Sequence, residues 1–217
     1  MIINRKYPAK ILLFGEYTVL EGGSAFAIPT SRFDGYWSFN NENGFDLAPF
    51  LDYLKALQKE GRLEWSLDIA KFEDAIKNGL SFQSNIPVGY GLGSSGALSA
   101  AVYDTFAEEK DDDLQKLKSI FAQLESFFHG SSSGIDPLIC YVKQAVHINS
   151  DGIVVEPIPI WSKGDHQLFL FDSKKSRKTD VLVNWFVDQC KQTVYRNRIH
   201  AELLPLVEES IAAIRYN

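Results

Sequence analysis

Cysteine is almost missing from this chain of 217 residues. The two present, Cys140 and Cys190, lie far apart and match no metal-ligand spacing, which leaves no basis for a thiolate metal site. Both are read as reduced thiols, as expected in the cytoplasm. Long apolar runs are missing too. The run Ile11–Phe14 is too short for the core of a signal peptide, and no segment approaches the about 18 consecutive apolar residues of a membrane span. A soluble cytoplasmic protein with no membrane partner is expected. Positive charge is in deficit, with 22 Lys and Arg against 28 Asp and Glu, a net charge of -6. No basic block stands out, so nucleic acid is not an expected partner. A local anion site remains open, because a phosphate needs a few directed N–H groups rather than a positive surface. Internal repeats and low-complexity linkers are also absent. What remains is ordinary globular composition, 45% apolar and 23% charged, enough for one large domain or two modest ones.

The apolar pattern predicts a strand over Ala9–Phe14, a second apolar run over Tyr17–Leu20, and extended segments at Ser24–Ile28 and Phe33–Phe39. Phe50–Gln58 has helical spacing and a stop at Gly61. Trp65–Ile69 and Ser81–Ile86 read as extended segments around a short helix, Lys71–Asn78. Helices follow at Ala97–Glu108 and Asp111–Phe128, the latter with one apolar stripe and an acidic N-terminus suited to the helix dipole. The apolar segment Ile135–Val142 comes next, then strands at Ala145–Ile148, Ile153–Ile158 and His166–Phe171. Helices at Val181–Thr193 and His200–Arg215 close the chain. Strands and helices mix without regular βαβ alternation, so the expected class is α+β.

Between two of these elements lies Pro87-Val88-Gly89-Tyr90-Gly91-Leu92-Gly93-Ser94-Ser95-Gly96, the glycine-richest stretch. Glycines let a backbone come close to a ligand, and the free N–H groups of the next helical turn point at an anion. The serines add hydroxyls able to ligate a phosphate-bound Mg²⁺. A tight turn that only packs the following helix is the simpler reading. No Lys-Ser or Lys-Thr follows the last glycine, so the Walker A pattern fails. The dinucleotide string is matched literally at Gly91–Gly96 but lacks its strand and ribose-binding acid. The protein-kinase loop fails because no His-Arg-Asp or Asp-Phe-Gly element follows.

Pro87-x-Gly89-x-Gly91-Leu92-Gly93-Ser94-Ser95 resembles the nucleotide-phosphate loop of the GHMP kinases (galactose, homoserine, mevalonate and phosphomevalonate kinases). Two further stretches are similar to the mevalonate-kinase branch of that family. One is Pro8-Ala9-Lys10-Ile11-Leu12-Leu13-Phe14-Gly15-Glu16, the other Glu125-Ser126-Phe127-Phe128-His129-Gly130-Ser131-Ser132-Ser133-Gly134-Ile135-Asp136. The resemblance implies that Gly89, Gly91, Leu92, Gly93, Ser94, Ser95 and Gly96 bind the nucleotide. It makes Ser95 and Glu125 the Mg²⁺ ligands and Lys10 and Asp136 the catalytic pair, with Glu16, His129 and Ser133 lining the acceptor site. Read bare, Glu125 is an edge carboxylate paired with a lysine, and His129 a satisfied structural histidine. A weaker echo, Asp172–Val183, puts Arg177 and Thr179 at the acceptor; a basic solvated loop is the bland alternative. The family usually has proline where Ser132 stands, a departure that would loosen the loop and bears on the acceptor.

The resemblance implies an N-terminal domain like ribosomal protein S5 domain 2 over residues 1–160. It also implies the start of a ferredoxin-like α+β domain over residues 161–217. The family's late glycine-rich motif does not occur before Asn217, so a fragment or a shortened relative is expected. The implied activity is ATP- and Mg²⁺-dependent phosphorylation of a small-molecule alcohol, mevalonate first, as in isoprenoid precursor synthesis. Another GHMP acceptor, such as phosphomevalonate or a sugar, and a non-catalytic nucleotide-binding relative are the alternatives. A homodimer is left open. For the catalytic reading, Lys10, Glu125 and Asp136 must converge beside the glycine-rich loop.

Overall fold

The computed structural model describes residues 5–39, 44–159, 169–172, 174 and 179–216. The elements run β1 (Lys6–Phe14), a 3-10 turn (Thr18–Glu21), β2 (Ala25–Ser38), α1 (Ala48–Lys59), α2 (Ile69–Lys77), β3 (Ser81–Ser84) and α3 (Ser94–Phe106). They continue with α4 (Leu114–His129), α5 (Ile135–Val142), β4 (Ala145–Asn149), β5 (Gly152–Glu156), α6 (Thr179–Cys190), α7 (Thr193–Arg198), a π turn (Ile199–Leu203) and α8 (Leu204–Tyr216). The sheet order is β1-β2-β4-β5, with β3 on β2. The pairings of β2 with β3 and β4, and of β4 with β5, are antiparallel, and the class is α+β. Among the described residues no helix is long and apolar enough to cross a membrane. The chain forms two compact units, one of Met1–Lys10, Thr30–Pro87 and Gly93–Lys143, the other of Ile11–Pro29, Val88–Leu92 and Gln144–Asn217. A boundary between residues 160 and 161 lies outside the described residues, as does residue Arg177.

The first unit is built around α3. Its small residues Gly96, Ala97, Ala100 and Ala101 are buried and let α4 and α5 approach closely, while Tyr103 and Phe106 fill the far end. Trp37 of β2 packs edge-on against Phe82 and Phe106, and its indole N–H donates to Thr105 Oγ1 at 2.8 Å. Asp104 is the buried charge of this end. Arg5 and Lys110 bond its Oδ1 at 2.8 and 2.7 Å, and the Tyr7 hydroxyl donates to Oδ2 at 2.7 Å. The Tyr7 hydroxyl is pushed above its ordinary value, first by burial and then by that carboxylate. The acidic run before α4 ends in an N-cap: the Asp113 side chain accepts the N–H groups of Gln115 and Lys116.

The second unit holds two apolar clusters. One joins Phe26, Ile28, Ala145 and Ile211, with Ile11, Leu13, Phe14, Val207 and Ile214 against it. The other joins Phe186, Cys190 and Ile199 with Tyr17, Tyr195 and Leu204. Helix α8 is tied down by Arg215, which bonds Glu156 through two nitrogens, and by Glu208, which accepts the Ser24 N–H at 3.0 Å. Cys140 and Cys190 are both unpaired and buried.

Several local expectations are corrected. The two extended segments at Ser24–Ile28 and Phe33–Phe39 are one strand, β2. Tyr17–Leu20 curls into a 3-10 turn, entered through Gly15 (φ 92) and left through Gly22 (φ 83). Trp65–Ile69 forms only a single bridge, Leu67 to Ala107, because Asp68 caps α2 by accepting the Lys71 N–H. The helix expected from His200 starts earlier and passes through a π turn just ahead of Pro205, whose missing N–H interrupts the regular ladder. Of His166–Phe171 only residues 169–171 are described, and they form no strand.

Candidate active site

Lys10 stands where β1 leaves the first unit. It is 7% exposed, and its Nζ is 2.9 Å from Asp136 Oδ1. The stem of Lys10 runs directly beneath Gly93, so closely that a Cβ there would meet Lys10 Cγ at 2.9 Å. Gly93 also has φ 77, a left-handed conformation that side chains avoid. The position therefore excludes larger residues twice over, and the lysine lies against the turn that opens α3. Gly89 and Gly91, which belong to the other unit, share this left-handed conformation with φ 81 and 71, so the alternate glycines of the loop have one backbone cause. Leu92 between them and α3 is buried.

Asp136 occupies the first turn of α5, where the partial positive charge of the helix end favours a carboxylate. The next residue, Pro137, needs no N–H partner there. A Cβ on Gly96 would meet the Pro137 nitrogen at 2.9 Å and the Asp136 carbonyl carbon at 3.0 Å. The first turns of α3 and α5 are thus in backbone contact. Asp136 keeps about a third of its side chain exposed while Lys10 is shielded, so the ion pair is open on the carboxylate side.

Glu125 lies on α4 and is only 4% exposed. Its partners are hydroxyls: Ser95 donates to Oε1 at 3.1 Å, and Ser132 makes a short bond to Oε2. Burial first, and the nearby Asp136 charge second, raise its carboxyl to about 7, against the opposing pull of the two hydroxyls and Lys10. His129 is exposed, with Nε2 3.1 Å from Ser95 Oγ. Cys140 sits under the turn with its Sγ 4.0 Å from the Gly93 carbonyl, and burial pushes its thiol up.

The structure thus brings together Lys10, Gly93, Ser95, Gly96, Glu125, His129 and Asp136. Ser94 opens α3, half-buried. The Ser133 hydroxyl accepts the Ile135 N–H at 3.4 Å, a local turn contact. Glu16 is half-buried in the second unit, and Thr179 is the first residue of α6. Ser132 is the participant that sequence reasoning noticed only as a missing proline. Far from loosening the loop, its hydroxyl bonds Glu125 and accepts the Gly134 N–H at 3.0 Å. The signal available was a run of hydroxyls just past a carboxylate on the buried side of its helix.

Residues 53–144 match the family model described as GHMP kinases N terminal domain. The chain carries a GHMP kinase N-terminal domain. It contains α3, α4 and α5, and with them the residues Ser95, Glu125 and Asp136. Among curated proteins, the mevalonate kinase of Thermococcus gammatolerans is 30% identical over 178 residues, 70% of this chain and 52% of that one. The mevalonate kinase of Thermococcus onnurineus is 31% identical over 169 residues, 64% of this chain and 49% of that one. The chain spans about half the length of these relatives. The crystal structure of L. major mevalonate kinase in complex with R-mevalonate aligns over 98% of this chain and 69% of that one, at 16% identity and a TM-score of 0.53. That likeness establishes the shared fold.

Proposed function

We propose that this chain belongs to an ATP- and Mg²⁺-dependent phosphotransferase acting on an alcohol, with mevalonate as the acceptor. The observation that carries the reading is the Lys10–Asp136 pair, 2.9 Å apart at the first turn of α3. Phosphoryl transfer asks a protein for positioning and charge stabilisation more than for covalent chemistry. Asp136 accepts the hydrogen bond of the acceptor hydroxyl and takes its proton. Lys10 holds that carboxylate in place and offsets negative charge growing on the transferring group. The N–H groups at the start of α3 meet the phosphates.

Ser95 and Glu125 offer a hydroxyl and a carboxylate oxygen 3.1 Å apart, a hard-oxygen pair that suits Mg²⁺. Among the described residues no group of three or more His, Cys, Asp or Glu gathers into a cage. Mg²⁺ is commonly held by one or two carboxylates, with water and phosphate oxygens completing its shell. When bound, it would supply charge neutralisation on the phosphates. The choice of mevalonate rests on the named relatives.

The test is ADP release by this chain against a panel of mevalonate, phosphomevalonate, galactose and homoserine. Mevalonate-dependent release is expected. ATP binding with no acceptor-dependent release would overturn the catalytic reading in favour of a nucleotide-binding relative.

A further inference from the structure

Phosphoryl transfer does not by itself account for Ser132. Its oxygen accepts the Gly134 N–H at 3.0 Å, and its single proton is directed to Glu125 Oε2. Gly134 cannot shift to absorb a change: it has φ 74, and a Cβ there would lie 2.0 Å from the Lys118 carbonyl oxygen and 2.6 Å from the Ala122 nitrogen. The orientation of the Ser132 hydroxyl is therefore set by backbone wedged against α4. With Oε2 held, the carboxylate plane of Glu125 is fixed and Oε1 is left facing Ser95. We propose that Ser132 is a positioning residue for the divalent cation, its hydroxyl pinning Glu125 so that Oε1 and Ser95 Oγ stay available together. The inference rests on the Mg²⁺ role given above to Ser95 and Glu125.

The experiment is Mn²⁺ binding in the presence of ATP, followed by electron paramagnetic resonance on the 217-residue chain. Ser132→Ala should weaken Mn²⁺ binding about tenfold, the usual size for loss of a group that orients a metal ligand. Ser132→Thr, which keeps the hydroxyl, should bind as the parent does. Ser132→Cys, similar in size but a weak donor, should resemble Ser132→Ala and carries the test if the alanine variant does not fold. The deciding comparison is made in a Glu125→Gln background, where Ser132→Ala should add no further loss. A merely structural role in the loop would show the same loss in both backgrounds, and that result overturns the proposal. So does a Ser132→Ala chain that binds Mn²⁺ as the parent does while Glu125→Gln weakens binding; the metal role of Glu125 then survives alone. If the parent itself binds no Mn²⁺ with ATP, both readings fall.

Discussion

Glu125 should make the metal-free protein less stable at neutral pH than it is with an amide in its place. The carboxyl moves from an ordinary 4.5 to about 7 on folding, chiefly through burial. That corresponds to about 3 kcal/mol of preference for the neutral form, and with only 4% exposure little of it is screened. The sign follows from proton binding. Below pH 4.5 the group is protonated folded or unfolded and contributes nothing. Between 4.5 and 7 the unfolded chain releases the proton while the folded chain keeps it, so stability falls as pH rises. Above 7 the full penalty remains. Glu125→Gln removes this dependence. It loses about 1 kcal/mol because glutamine presents two N–H protons where the neutral acid presents one O–H, and the serine hydroxyl facing them must turn. The variant should therefore be about 1 kcal/mol less stable than the parent at pH 4 and about 2 kcal/mol more stable at pH 8. Urea unfolding of both chains from pH 4 to 8 without divalent cations measures the difference. A difference that stays constant across that range would refute the reasoning.

Three other outcomes follow from the geometry. Lys10→Met and Asp136→Asn should each lower turnover by several orders of magnitude, and the double variant should lose far less than the sum of the two free energies; strictly additive losses in the cycle would separate the two residues. Gly134→Ala and Gly130→Ala form a matched pair in one loop, both with positive φ, but only the first meets backbone. Chemical denaturation should give a loss of about 1–3 kcal/mol at position 130, where φ 75 and ψ -38 lie in a sparsely populated region, and far more, or no folding, at 134. Asp104→Asn removes the buried carboxylate that Arg5 and Lys110 share, but both cations are about half exposed and can turn to water, so thermal unfolding should show a loss of about 1–2 kcal/mol; a neutral substitution would show the cluster to be ornamental.

The helices were legible wherever an apolar face repeats, as in α1 and α4, and so was the polarity of α4, whose acidic N-terminus supplies a cap. Short elements escaped because tertiary partners decide them. Thr18–Glu21 has the composition of a strand, but two left-handed glycines bend it into a turn. The glycine-rich loop announced itself through residues whose backbone conformation only glycine adopts easily, which is why spacing alone found it. Lys10 and Asp136 were legible as motif residues. Their contact depends on a strand and a helix far apart in sequence, and no local pattern records a distance. The depth of Glu125 was underestimated because helical spacing places it at the border of the apolar stripe, whereas α3 and the loop after α4 close over it. The bare reading expected a lysine partner; two hydroxyls hold the carboxylate instead.

The glycine at position 96 has a mechanical consequence. Since the opening turns of α3 and α5 touch main chain to main chain, there is no flexible side chain between them to act as a spring. A ligand that presses on the first turn of α3 presses, through that contact, on the backbone that carries Asp136. Whatever seats itself on α3 therefore also bears on the turn of α5 that carries this carboxylate. Parting the two turns would require rebuilding the crossing itself, so tuning in such a design falls to the groups around the contact and not to the contact.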